Sequence, residues 1–419
     1  MSSGAEMIFT GDELLRGDAI NTNQAFLGEK LIDLGIFAAR ALCIADDQAA
    51  IASAIRESLA REPLVLILSG GLGPTDDDLT REAVAEALGV PLELHRDLLE
   101  EIREKFASRG YIMGDSNRKQ AFLPRGAAAI PIAGTAPGLS IQYGRTLIAA
   151  LPGVPWEMEE MWTGTVEPLV RALADSVNGR SHVVRRIRTF GIGESSVADL
   201  LTEFEWRGSL VEIGTRAKLD GLWVILRGMD SPEGLSALEA TQARIIELLG
   251  DKVLGVDCEG LPELVGDLIR NAGMTLAVAE SCTGGLLGKR VTDVPGSSDY
   301  FLGGVISYSN AVKTKVLGVP EETLAAHGAV SPEVAKAMAS GVAAFLGSDC
   351  ALSITGVAGP GGGTEEKPIG LVYVGSVLGE AVEVERLWLW GRRDQVRERA
   401  ALSALDILRR RLLPRGRDR

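Results

Sequence analysis

The chain has little cysteine, almost no histidine and few aromatic residues, and each shortage removes a class of protein. Cys43, Cys258, Cys282 and Cys350 are scattered through 419 residues without a C-x-x-C spacing. That excludes a disulfide framework or a zinc ribbon and fits free thiols in a reducing compartment. His95, His182 and His327 show no metal-ligand spacing, which leaves little material for a Ser-His-Asp site. No run of about 18 uncharged apolar residues occurs, so no membrane span is expected. The opening M-S-S-G-A-E-M-I-F-T has no basic region followed by a long apolar stretch, which predicts no signal peptide and a cytoplasmic protein. The excess of acid, a formal charge of −14, argues against a generic nucleic-acid surface. The basic tail, 409–419, reads as a solvated helix end, where cations are favoured.

Glycine is plentiful, at 50 residues, with 46% apolar and 24% charged content. That balance favours an α/β architecture with many tight strand–helix turns, and the length calls for two or three domains. In 1–168, apolar strands at Met7–Phe9, 65–68 and 146–150 alternate with helical periodicity at 21–34 and 79–88. This pattern predicts a largely parallel sheet covered on both faces. Residues 169–256 read as a small α+β module suited to dimerisation, so a homodimer is expected. Residues 257–419 alternate again, with helices at 262–272, 284–292, 332–346 and 393–412 and strands at 275–279, 303–308, 350–354, 370–377 and 382–389.

The most telling stretch is A-E-S-C-T-G-G (279–285), between a strand-like run and a helix-like run. Ser281, Thr283 and Gly284 then fall on a strand-to-helix corner, where a helix N-terminus offers unpaired N–H groups. Such a corner exposes a nucleophile and supplies donors for an oxyanion. Serine needs a base, and with histidine scarce the lysine of S-Y-S-N-A-V-K, Lys313, is the natural candidate once burial lowers its pKa. Tyr308 of the same segment either relays a proton or orients the substrate. The loop T-G-V-A-G-P-G-G-G-T-E-E-K-P (355–368) follows a strand and can close on an anion, with Thr355, Gly356, Gly361 and Lys367 as contacts. Ser298 offers a second hydroxyl, and Arg393 in G-R-R-D a phosphate clamp.

At the other end, S-G-G-L-G-P-T-D-D-D-L-T (69–80) places a glycine-rich turn after a strand. Gly70, Gly71, Gly73 and Thr75 suit a phosphate cradle. Asp77 and Asp78 suit a hard divalent cation, or equally cap the helix that follows.

These segments, in this order, resemble the CinA family. The stretch 262–400 is similar to its nicotinamide-nucleotide amidase domain. The resemblance implies deamidation of nicotinamide mononucleotide by Ser281 and Lys313 without a metal, with Tyr308, Thr355 and the late arginine at the site. The family often reads G-D-R where this chain has Gly391-Arg392-Arg393, so either arginine can be the one that acts. The clusters T-G-D-E-L-L-R-G-D-A-I-N-T-N (10–23), 69–80, N-R-K-Q-A (117–121), G-T-A-P-G (134–138) and L-P-G-V-P-W-E-M (151–158) resemble the family's molybdopterin-binding-like half. That half implies cleavage of ADP-ribose with a divalent metal, Mg or Co, with Glu13, Asp77 and Asp78 as metal ligands and Asn21 at the substrate. The family usually reads G-T-E-L where this chain has G-D-E-L. Two other readings stay open: an N-terminal half that only binds a pterin or nucleotide, and an interaction protein serving competence or DNA repair.

Overall fold

The computed structural model describes residues 4–178 and 182–413. The chain divides into two compact units that part near Val183 and Val184, with Met229–Ser231 grouped with the first.

The first unit is built on a six-stranded sheet. In chain order its strands are β1 (Ala5–Thr10), β2 (Ala38–Ile44), β3 (Val65–Ser69), then, after a separate two-stranded sheet of β4 (Leu92–Leu94) and β5 (Phe122–Pro124), β6 (Ala128–Ile130), β7 (Gly138–Tyr143) and β8 (Thr146–Leu151). The spatial order is β2-β1-β3-β8-β7-β6. The first four run parallel, and β7 and β6 are antiparallel additions. β1, β3 and β8 are buried along their whole length, as unbroken apolar runs require when helices cover both faces. Side chains alternate between two cores: Ile8, Leu66 and Leu68 face Ile51 and Ile55, whereas Met7, Phe9 and Ile67 face Leu27, Leu31 and Trp162. The helix Glu167–Asn178 continues this unit, because Val170 and Ala174 enter the second core. A boundary at 168 therefore cuts the unit, and the division lies some fifteen residues later because that helix has an apolar face to bury.

The second unit holds two sheets. The smaller has order β10-β11-β9-β12, from β9 (His182–Thr189), β10 (Val211–Lys218), β11 (Gly221–Met229) and β12 (Val253–Val256). Trp223 and Val224 belong to its interior, with Arg188 and Lys218 stacked on the Trp223 ring.

The larger sheet has order β14-β13-β15-β16-β17, from β13 (Leu276–Glu280), β14 (Phe301–Ile306), β15 (Cys350–Gly356), β16 (Leu371–Leu378) and β17 (Ala381–Trp388). β14, β13 and β15 are parallel; β16 and β17 are antiparallel. The interior strand β13 is buried on both faces. Leu276 and Val278 pack beneath the helices Leu261–Asn271 and Arg393–Leu412, while Ala277 and Ala279 face Val334, Met338 and Val342 of Pro332–Leu346. The chain leaves β13 for β14 on one side and reaches β15 on the other. The C-terminal end of β13 is thus a point where strand order reverses, the usual place for a ligand in an open α/β sheet.

Candidate active site and phosphate cradle

Ser281 follows β13 directly at that reversal point. Its amide donates to the Ile354 carbonyl of β15 at 3.0 Å, which ties the corner to the sheet. The helix Asn310–Leu317 starts at Ser309, whose hydroxyl caps the Val312 amide, and it turns Lys313 inward. Lys313 is 1% exposed. Its Nζ lies 3.1 Å from Ser281 Oγ and donates to the Ser307 carbonyl at 2.5 Å. Burial holds the lysine below its ordinary pKa, with the Cys282 thiol acting weakly the other way. A buried lysine fixed by a carbonyl and held 3.1 Å from a serine hydroxyl has the geometry of a nucleophile and base pair. Ser307 is the orienter, supplied through its backbone and so without a signature in its side chain. Cys282 is no rival nucleophile, because burial pushes its thiol up to about 11.

The corner differs from expectation in one respect. The first-turn amides of the helix Leu286–Thr292 are not open to a ligand. Glu280, 1% exposed, accepts from Gly285 and Leu287 through Oε2 at 2.9 and 3.1 Å and from Gly288 through Oε1 at 2.8 Å. A buried carboxylate is stabilised at this end of a helix by charge-assisted bonds, so Glu280 closes the N-terminus that was expected to receive an oxyanion. Arg397 grips the same corner, donating to the carbonyls of Cys282 and Thr283 at 3.2 and 2.6 Å. Neither Glu280 nor Arg397 was singled out from the sequence.

Around the serine, the expected contacts separate into two groups. Tyr308, 64% exposed, accepts from Arg393 Nη2 at 3.4 Å, and Arg393 Nη1 donates to the Gly359 carbonyl at 2.5 Å. Arg393 therefore faces the tyrosine and the glycine loop, whereas Arg392 is exposed and pairs with Asp394. Thr283 is fully buried with its hydroxyl unpartnered, and Gly284 is an exposed left-handed residue of the turn. Gly361 lies in the exposed loop with open space about it.

Other positions have structural duties. The Thr355 hydroxyl donates to the Ala329 carbonyl at 2.7 Å, and Lys367 donates to the His327 carbonyl at 2.5 Å. Both pin the glycine loop and its strand to the segment before Pro332–Leu346. Gly356 packs flat against Val372, where a Cβ would fall 2.7 Å from its Cγ2. Ser298 lies in the turn Ser297–Asp299 that leads into β14, whereas Ser281 follows the far end of β13. With Leu276 paired to Phe301 and Glu280 to Ile306, the two serines are about 16 Å apart along the strands, which removes Ser298 from the site within one chain. His327 sits beside Glu333, Nδ1 to Oε2 3.6 Å.

In the first unit, the ends of β1, β3 and β8 line a cavity of about 540 Å³ that includes Gly70, Gly71, Gly73, Thr75, Glu13, Asp77 and Asp78. The glycines are required by close approach. A Cβ on Gly70 would lie 2.4 Å from the Thr10 carbonyl oxygen, and one on Gly71 2.4 Å from Thr80 Oγ1. Arg81, fully buried, donates to the carbonyls of Leu72 and Gly73 at 2.7 and 2.9 Å and holds the cradle from behind. Lys119 donates to the carbonyls of Thr75 and Asp78 at 2.6 and 2.8 Å.

The three expected metal ligands do not act alike. Asp78 turns inward to accept from the Thr75 amide at 2.8 Å and from its hydroxyl, so it is the cap of this turn. Asp77 is exposed, its carboxyl lowered by a hydrogen bond from Thr75 and by Lys119. Among the described residues no cluster of three or more His, Cys, Asp or Glu side chains could hold a metal by itself. Asp46 and Glu157 also line the cavity. Burial raises Asp46, and the charges of Glu13, Asp12 and Asp77 push the same way against a hydrogen bond from the Asp12 amide. Burial likewise raises Glu157. Glu13, Asp46, Asp77 and Glu157 thus give the cavity an acidic wall. Asn21 is the cap of the helix Thr22–Asp33, accepting from Gln24 at 3.0 Å. Asn21 and the buried Asn23 both line a smaller neighbouring cavity with Thr10 and Glu13, and Asn23 donates to Ser69 Oγ and the Gly153 carbonyl at 2.9 Å.

Two open α/β sheets, each with polar residues gathered at its reversal point, define a multidomain α/β protein. Three family models match successive parts of the chain. A "Probable molybdopterin binding domain" matches residues 6–172, a "Damage-inducible protein CinA KH domain" matches 184–255, and a "CinA C-terminal domain" matches 259–412. The chain is 44% identical to a Symbiobacterium thermophilum protein named for competence-damage induction, over 98% of this chain and 99% of that one. It is 43% identical to a CinA-like protein of Kosmotoga olearia, over the same shares, and 42% identical to one of Gloeothece citriformis, over 98% and 99%. The chain belongs to the CinA family. No helix among the described residues is long and apolar enough to cross a membrane.

Proposed function

We propose that the second unit deamidates nicotinamide mononucleotide, giving nicotinate mononucleotide and ammonia. The observation that carries this reading is the buried Lys313 amine 3.1 Å from Ser281 Oγ at the end of β13. Neutral Lys313 takes the proton as Ser281 Oγ attacks the carboxamide carbon. The C–N bond breaks, and the proton leaves with the nitrogen as ammonia. Water then attacks the acyl-serine, Lys313 again taking a proton that returns to Ser281 as the ester bond breaks, and the acid product departs as carboxylate, its remaining proton passing to solvent. The Ser307 carbonyl keeps the amine aimed, and Arg393 with Tyr308 offers an anchor for the 5′-phosphate. Ammonia release from nicotinamide mononucleotide by the intact chain, absent in Ser281→Ala, tests the assignment.

For the first unit we propose binding and metal-dependent hydrolysis of ADP-ribose. The supporting observation is the close-packed cradle of Gly70 and Gly71 facing the carboxylates of Glu13, Asp46 and Asp77 in one cavity. A bound divalent cation would supply Lewis-acid stabilisation of the diphosphate. The chain itself contributes backbone N–H groups for phosphate oxygens, with Lys119 and Arg81 fixing the loop that presents them. AMP formation from ADP-ribose with Mg²⁺, lost in Asp77→Ala, would support hydrolysis. Binding without AMP formation would favour a pterin- or nucleotide-binding role.

A further inference from the structure

We infer that Arg397 is a positioning residue for the proposed deamidation, setting the Thr283 amide directly and the Cys282 amide through the Gly284–Ser281 bond, as the main-chain donors to the oxyanion; this rests on the amidase reading. Attack on the carboxamide puts negative charge on its oxygen, and that charge needs N–H donors fixed in advance. Most amides of the corner are already engaged. Ser281 donates to Ile354, Gly284 to the Ser281 carbonyl at 3.2 Å, and Leu286 to Thr283 at 3.3 Å. Gly285, Leu287 and Gly288 donate to Glu280. Among the described residues, the amides of Cys282 and Thr283 donate to no backbone carbonyl.

Their direction follows from their carbonyl neighbours. In a trans peptide the N–H points opposite to the C=O of the same unit. The Cys282 carbonyl is drawn to Arg397 Nε, so the Thr283 amide points away from Arg397. The Ser281 carbonyl is drawn inward to the Gly284 amide, so the Cys282 amide points out of the turn. Arg397 Nη2 holds the Thr283 carbonyl, whose peptide carries the Gly284 amide that binds the Ser281 carbonyl, so Arg397 reaches the Cys282 amide through that bond. One planar fork on two successive carbonyls sets the pitch of the turn, which a lysine, a point donor, cannot do. The amide after the nucleophile is a recurrent oxyanion donor where a serine sits on a strand–helix corner. Arg397 itself touches carbonyls and not the reacting atoms.

The test compares the full chain with Arg397→Met and Arg397→Lys. Two ligands complement the steady-state kinetics: nicotinate mononucleotide, and nicotinamide mononucleotide with a boronic acid in place of its carboxamide, which forms a tetrahedral anion on Ser281. Loss of one aligned oxyanion donor lowers kcat roughly 10²-fold. Arg397→Met should show that loss with KM and nicotinate mononucleotide affinity within about twofold of the parent, and boronate affinity should fall by the same factor as kcat. Arg397→Lys should fall between. Unchanged kcat and boronate affinity in both variants would overturn the inference while leaving the amidase reading intact. Equal loss of product affinity and kcat would also overturn it, as a collapsed corner. No ammonia from the parent chain would overturn the amidase reading and this inference with it.

Discussion

Removing the Glu280 carboxylate is the sharpest perturbation of the serine corner. In Glu280→Ala the amides of Gly285, Leu287 and Gly288 all lose their acceptor in a site that is 1% exposed. Each buried amide left without a partner costs roughly 1–3 kcal/mol, so local opening should become easier by about 3 kcal/mol or more. Glu280→Gln is gentler. Its single carbonyl oxygen can take the place of Oε2 and keep Gly285 and Leu287, but its NH2 then faces the Gly288 amide. One amide is unmet, so opening should be eased by about 1–3 kcal/mol, a factor of roughly 5 to 150. Hydrogen exchange followed by mass spectrometry on peptides spanning 281–290 reads this directly, and deamidation should fall in the same order, Ala below Gln below parent. Exchange within twofold of the parent in both variants would refute the argument that Glu280 holds the corner.

Ser281→Ala and Lys313→Ala should each lower ammonia release from nicotinamide mononucleotide by at least ~10³-fold, with AMP formation from ADP-ribose unchanged; a joint loss would mean the two sites are coupled. Because burial lowers the Lys313 pKa from 10.5 and the neutral amine is the base, kcat/KM should rise with pH through a value below 10.5 and level off above it. Between the folded and unfolded lysine pKa values the unfolded chain binds more protons, so stability of the domain should rise with pH in that window and lose this dependence in Lys313→Met; urea titrations read by residual fold at two pH values check the sign. Arg393→Ala should raise KM for nicotinamide mononucleotide about tenfold, the loss of one charge-assisted contact, while Arg392→Ala leaves it unchanged. Gly73→Ala places a Cβ 2.4 Å from Asp78 Oδ2 and should abolish ADP-ribose binding measured by calorimetry.

The two α/β sheets and the positions of most of their strands were legible because apolar runs and glycine corners mark buried strands, whereas the spatial strand order was not, since neighbours in a parallel sheet are far apart in sequence. Ser281 and Lys313, 32 positions apart, could be paired by chemistry: one needs a base and the other needs burial to become one. Glu280 and Arg397 were not legible, since a carboxylate inside an apolar strand and an arginine among several on a helix carry no sign of the amides and carbonyls they meet. Ser298 misled because nearness in sequence does not tell which end of a parallel strand a residue occupies. Asn21 and Asp78 cap local turns while still lining cavities, because Asn and Asp are favoured for both duties.

The central claim is that Ser281, activated by buried Lys313, cleaves the carboxamide without a metal. Ammonia release from nicotinamide mononucleotide by the intact protein and by Ser281→Ala, with EDTA present, tests it most directly. The account predicts release by the intact protein and a loss of at least ~10³-fold in the variant. Release that EDTA stops, or that survives in Ser281→Ala, would contradict it.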